Sequence, residues 1–218
     1  MRGEPWRVGA WLTVVGLLAT VGYASRSASG QPPPDTLYRY ETAIGGAIVY
    51  LVLLGIVALI VRGLPWRQVF ALRAPTSWRA ALGLALGAYV AIFVGGALLL
   101  QALDATEEQG LTPDDWDPSR AGAFAANFVA VALVGPVVEE LVYRGAGLAL
   151  LARFGTPVAV AVTAFAFGLG HGLVLALPTL VFFGLVVALL RLRTRSIYPA
   201  MLVHCAFNAT SLIVSVAT

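Results

Sequence analysis

The sequence predicts an all-α, polytopic integral membrane protein, a bundle of about seven transmembrane helices. Three observations carry this. Hydrophobic residues make up 59% of the 218-residue chain and charged residues 11%, against about 25% charged in an average soluble domain. Mean hydropathy is +0.86. The apolar residues fall in runs close to the ~20 that a helix needs to cross a hydrocarbon core.

Seven runs follow one another: 8–24, 42–61, 80–103, 121–142, 156–175, 178–190 and 197–217. The first is short and follows a basic start, Arg2 and Arg7. With Gly22-Tyr23-Ala24 as a cleavage-like site it also reads as a signal peptide, and the remaining topology is then the same. The stretch 25–35, with Pro32-Pro33-Pro34, reads as an extended linker. Runs two and three are long and uninterrupted. Run four is uncharged until Glu139. Runs five and six are separated only by the stretch around Pro178, and the sixth is the shortest.

Arginine placement orients the bundle. All 14 basic residues are Arg. Arg62, Arg67, Arg73 and Arg79 follow run two, Arg144 and Arg153 run four, and Arg191, Arg193 and Arg195 run six. The loop at 104–119 holds Asp104, Glu107, Glu108, Asp114, Asp115 and Asp117 and no Arg. The Arg-bearing loops and the N-terminus are therefore expected in the cytoplasm. Dispersed arginines form no stripe for a polyanion, which excludes a nucleic-acid partner. Cys205, alone in an apolar run, reads as a small core residue.

Chemistry concentrates in three runs. The fourth ends in Glu139-Glu140-Leu141-Val142-Tyr143-Arg144. Charge within a bilayer is costly and points to function. On a helix, Glu140 and Arg144 share a face in the favourable order for an ion pair. Glu139 points about 100° away, has no built-in partner, and is a candidate general base. Pro136 removes a backbone hydrogen bond just before it. The structural alternative is a helix end at the cytoplasmic interface, with Arg144 as a topology charge.

The fifth run carries Phe167-x-x-x-His171 and the seventh His204-x-x-x-Asn208, which include both histidines of the chain. Each pair lies one turn apart on one helix face. A lone intramembrane His or Asn often bonds only a neighbouring helix, and Phe is ordinarily core. Together, Glu139, His171 and His204 can hold a hydrolytic water, or a metal such as zinc with one open position. Asn208 can donate to a developing oxyanion. Depth is the difficulty. His171 lies roughly 22 Å along run five, whereas Glu139 sits near the cytoplasmic end of run four. Their meeting requires residues 145–155 to dip into the membrane, or the helices to bend.

The three motifs resemble those of the CAAX-protease and bacteriocin-processing family of intramembrane endopeptidases, whose best-known member is the eukaryotic Ras-converting endopeptidase. Its pattern is Glu-Glu-x-x-x-Arg, Phe-x-x-x-His and His-x-x-x-Asn. All three stand here in order, flanked by Gly135-Pro136 and Gly145. The resemblance covers residues 133–208. It implies that Glu139 and His171 activate water, that His204 and Asn208 supply the oxyanion side, and that Glu140 pairs with Arg144, with Phe167 in support. The family is often classed as metalloendopeptidases. The metal-free reading uses every group and requires no cofactor, with zinc on Glu139, His171 and His204 as the alternative. The implied partners are membrane lipid and a membrane-anchored peptide or protein. Eukaryotic relatives cleave prenylated C-termini, and bacterial relatives are linked to bacteriocin maturation or self-immunity. The organisation points to a prokaryotic cell membrane.

This reading divides the chain into N-terminal transmembrane helices without a motif, 1–120, and a catalytic core, 121–218. Two other classes compete. A non-enzymatic scaffold or bacteriocin-immunity protein would keep the motifs for packing alone, yet no motif residue is missing. A proton-coupled transporter would use Glu and His as a relay. It predicts paired broken helices in an inverted repeat, and the break at Pro136 has no clear match.

Overall fold

A computed structural model describes residues 4–30, 32–106, 108 and 115–217. It contains seven apolar helices and, among the described residues, no strand. α1 (Pro5–Ser29) begins on a proline, which forfeits no helical bond in the first turn. It ends where the Gly30 amide, at φ 69°, reaches the Arg26 carbonyl. α2 is Tyr40–Ile60. α3 (Trp78–Ala102) is capped by the Ser77 hydroxyl, which accepts from the Ala80 amide. α4 runs Pro118–Phe154, α5 Thr156–Leu169, α6 Leu177–Thr194 and α7 Tyr198–Ala217. Six of them are long and apolar enough to cross a membrane, and α5, with 14 residues, is shorter. Their outer faces carry large exposed apolar side chains such as Val21, Leu51 and Leu86, as lipid contact requires.

Several boundaries differ from the sequence reading. The linker is shorter, because α1 continues to Ser29. α5 stops at Leu169, so His171 stands in the turn after the helix. α6 is longer than its run and complete enough to span. The largest difference is α4. It does not end near Val142 but continues to Phe154, 37 residues in all from Pro118. Arg144 does not mark an interface, because its charge is neutralised inside the bundle. Residues 145–151 are helical rather than an irregular dip.

α4 is not uniform. It passes through two π-helical stretches, Val129–Val134 and Leu141–Gly147. The first precedes Pro136, whose ring nitrogen cannot donate to a carbonyl one turn back. Single π-turns inside α-helices are frequent at functional sites. Neighbouring helices donate to carbonyls within both stretches. Asn208 Nδ2 on α7 donates to the Val131 carbonyl at 3.0 Å, and Trp11 Nε1 on α1 donates to the Val142 carbonyl at 3.0 Å.

Gly155 turns the chain back after α4. Its φ of 93° is a conformation that side-chain-bearing residues rarely adopt. α4 and α5 then run antiparallel. Gly155 lies midway in sequence between Glu139 and His171, so both return to similar depth without any dip of the loop. The α5–α6 pair approaches closely, with Gly184 packed on the Ala164 backbone. One apolar core joins the two halves of the chain: Trp11, Val57, Val142, Phe167, Val187 and Val203 all contribute.

The ends of the bundle differ in charge. At one end Arg7 donates to the Ile60 and Arg62 carbonyls, and Arg73 Nε donates to the Arg195 carbonyl at 2.5 Å. At the other end Arg39 and Arg120 are paired with Asp35 and Asp117. Hydrogen bonds from Ser119 and Arg120 hold the Asp117 carboxyl down at about 2. The Glu108 carboxylate accepts from the Val174 and Ala176 amides, both at 2.8 Å. Arg2, Glu107 and Asp114 of the topology argument lie outside the described residues.

Candidate active site

The adjacent glutamates of α4 have different surroundings. Glu140 and Arg144 are both fully buried and pair at 2.8 Å, one turn apart. The same oxygen, Oε1, accepts from His204 Nδ1 at 2.9 Å. Arg144 also donates to the Gly184 carbonyl at 3.3 Å and lies 4.5 Å from the Phe167 ring centroid. A charge held in this way, with counter-charge, carbonyl and aromatic face, meets the conditions for burial. Phe167 is the wall of the site. Arg144 lies on it, Phe183 stacks on it at 5.4 Å, and the His171 and His204 rings meet it at 4.7 and 5.6 Å.

Glu139 has no arginine. Its side chain keeps 17% exposure, and its nearest basic neighbour is His204 Nε2, 3.6 Å from Oε2. His204 therefore stands between the two carboxylates, Nδ1 toward Glu140 and Nε2 toward Glu139. The other Glu139 oxygen faces the Tyr50 hydroxyl at 3.4 Å. Tyr143 follows one turn later in the field of Glu139. Its hydroxyl lies against the backbone of Gly170, beside His171.

His171 is exposed and donates from Nδ1 to the Phe167 carbonyl at 2.8 Å. A carbonyl only accepts, so Nδ1 carries a proton, and in the neutral ring Nε2 is the acceptor. The turn holding it is fastened by Glu108 and by Tyr23, whose hydroxyl donates to the Leu173 carbonyl at 2.8 Å. His171 thus sits toward the acidic end of the bundle, not toward the arginine-bearing turns. Asn208 spends one amide proton on the Val131 carbonyl and keeps a second.

The structure therefore gathers Glu139, Glu140, Arg144, Phe167 and His204 in direct contact, with His171 across the Phe167 ring. Among the described residues no direct hydrogen bond joins His171 to Glu139 or His204. The three-ligand zinc set weighed from the sequence does not assemble. Among the described residues no three His, Cys, Asp or Glu side chains converge as a metal site requires. Both nitrogens of His204 face carboxylates, and the residues do not fit the group. Sequence reasoning missed Tyr50, Tyr143 and Trp11. The signal for Tyr50 was its place as the one polar-tipped residue between Ala43 and Ile60. For Tyr143 it was the one-turn spacing from Glu139.

Residues 121–210 match the family of type II CAAX prenyl endopeptidases, Rce1-like. This match supports the resemblance to the CAAX-protease and bacteriocin-processing family for that segment. The matched stretch takes in the whole of the three-motif cluster, from α4 into α7. At family level the Rce1-like domain is that of a CAAX-type intramembrane protease. No curated protein and no solved structure matches the chain.

Proposed function

We propose that the chain is an intramembrane endopeptidase that hydrolyses a peptide bond of a membrane-associated protein or peptide, with Glu139 as general base. The observation that carries this is the inequivalence of two adjacent glutamates. Glu140 is committed to Arg144 and His204, whereas Glu139 is partly open and has no arginine. A scaffold has no need of a second carboxylate without an arginine partner inside a membrane.

The chemistry follows from the donors and acceptors. A water between Glu139 and His171 would give one proton to the carboxylate and a hydrogen bond to the free Nε2 of His171. Its oxygen attacks the scissile carbonyl carbon. The negative charge that develops on the carbonyl oxygen is met by the remaining Asn208 N–H and by a protonated His204 Nε2. Glu139, now a carboxylic acid, returns its proton to the departing amine, and the C–N bond breaks. No step requires a metal. Membrane lipid surrounds the site. The substrate class carried over from the family is a membrane-anchored, CAAX-type C-terminus. The setting is a prokaryotic cell membrane with the arginine-rich end and N-terminus in the cytoplasm.

The test is proteomic. Membranes containing the active chain and membranes containing Glu139→Ala are compared for new protein C-termini. Termini present only with the active chain identify substrates. Identical sets of termini, together with no cleavage of farnesylated or unmodified model peptides by the purified chain, reject the peptidase reading.

A further inference from the structure

α2 carries no part of the three motifs, yet it sets one polar group against the site. Tyr50 lies halfway along a helix that is otherwise apolar from Ala43 to Ile60. A phenol at that depth needs a partner, and its hydroxyl faces Glu139 Oε1 at 3.4 Å. His204 Nε2 lies 3.6 Å from the other oxygen, Oε2. The carboxylate is therefore met from two sides, by a phenol from α2 and an imidazole from α7.

A second observation comes from α4 itself. Gly135 precedes Glu139 by one turn, and a Cβ there would stand 2.5 Å from the Tyr50 hydroxyl oxygen. The glycine leaves the space through which the α2 phenol reaches α4. The 3.4 Å separation is longer than the roughly 2.5–3.0 Å of a strong O–H···O bond. Catalytic hydrogen bonds commonly tighten when substrate binds.

We propose that Tyr50 is a positioning residue for the reaction. It donates to Glu139 Oε1 and fixes the plane of the carboxylate, so that one oxygen stays directed at the water. This role rests on the reading of Glu139 as the base. It assigns a task to the N-terminal helices, which bring the phenol to a site otherwise built from α4 to α7.

The experiment uses the full chain in lipid nanodiscs with 13C-labelled glutamate carboxyls and isotope-edited infrared spectra. The Glu139 carboxylate band is the one lost in Glu139→Gln. In Tyr50→Phe that band shifts, and the difference vanishes in the Tyr50→Phe/Glu139→Gln double variant. Gly135→Ala, which pushes the phenol away while retaining it, moves the band in the same direction. Turnover of a farnesylated fluorogenic peptide by Tyr50→Phe falls about tenfold in kcat at unchanged KM, as for an interaction made in the transition state. An unshifted band in Tyr50→Phe overturns the contact. A shifted band with wild-type kcat overturns the positioning role. A wild-type chain that cleaves nothing sinks the peptidase reading instead, and the band still decides the contact. Unchanged thermal unfolding of Tyr50→Phe separates either result from misfolding.

Discussion

Replacing Glu140 by Gln isolates the consequence of placing two adjacent glutamates in different environments. The amide keeps the size of the side chain, and its oxygen can still accept from Arg144 Nη1 and His204 Nδ1, which share one oxygen at 2.8 and 2.9 Å. Only the charge is removed. Arg144, fully buried, then keeps its cation against neutral acceptors and an aromatic ring, with no counter-charge. Breaking a buried pair on one side costs about 3–5 kcal/mol. At about 2–4 °C per kcal/mol for a chain of this size, the melting temperature drops by about 6–20 °C. Glu139→Gln strands no buried arginine, and its melting temperature falls by less than that of Glu140→Gln. Its peptidase activity is lost. The assay is thermal unfolding of both variants in one detergent, followed by tryptophan fluorescence, beside turnover of a model peptide. A third variant, Glu140→Gln/Arg144→Met, removes the stranded cation and unfolds at a higher temperature than Glu140→Gln alone. Equal melting temperatures for Glu139→Gln and Glu140→Gln would refute the assignment of base and partner. So would a double variant no more stable than the single one.

Asn208→Ala leaves the Val131 carbonyl without its donor. It costs about 1–3 kcal/mol of stability and about 10²–10³-fold in kcat, read by unfolding and steady-state kinetics. Activity on a model peptide survives dialysis against a strong chelator, and metal analysis of the active protein gives less than one equivalent; loss of turnover restored by stoichiometric zinc reverses this expectation. Asp117, held at about 2 against an ordinary 3.8, contributes stability that is present above pH 4 and is lost as pH falls toward 2. Asp117→Asn removes that part of the acid dependence in melting curves. In whole cells with Cys205 replaced, an impermeant thiol reagent labels a cysteine at position 108 and not one at position 67; the opposite pattern inverts the topology.

The α4 boundary shows what limits a reading of charge. Hydropathy located the helices because each run must bury its backbone in lipid by hydrogen-bonding to itself. Arg144 looked like the end of a span, since an arginine is usually left where water can reach it. Whether water reaches it depends on Glu140, Gly184 and Phe167, three residues whose meeting is tertiary. The depth conflict between Glu139 and His171 arose from that one misplaced end. It disappears when α4 runs to Phe154 and turns at Gly155. Tyr50 was illegible for a related reason: nothing in an apolar run says which other helix its one hydroxyl faces.

The sequence by itself determined the membrane class, the order of the helices, and the three motifs, on α4, on α7, and from α5 into the turn that follows it. These follow from local properties: hydropathy per residue, the helical repeat, and the scarcity of charge. Tertiary structure alone decided how the charged and polar groups are shared. It set His204 between both glutamates and His171 across the Phe167 ring. It brought donors from α7 and α1 to the Val131 and Val142 carbonyls and, among the described residues, left no three candidate ligands converging as a metal site requires. Ion pairs and hydrogen bonds act over about 3 Å, and contacts that short, between helices distant in sequence, exist only once the helices pack.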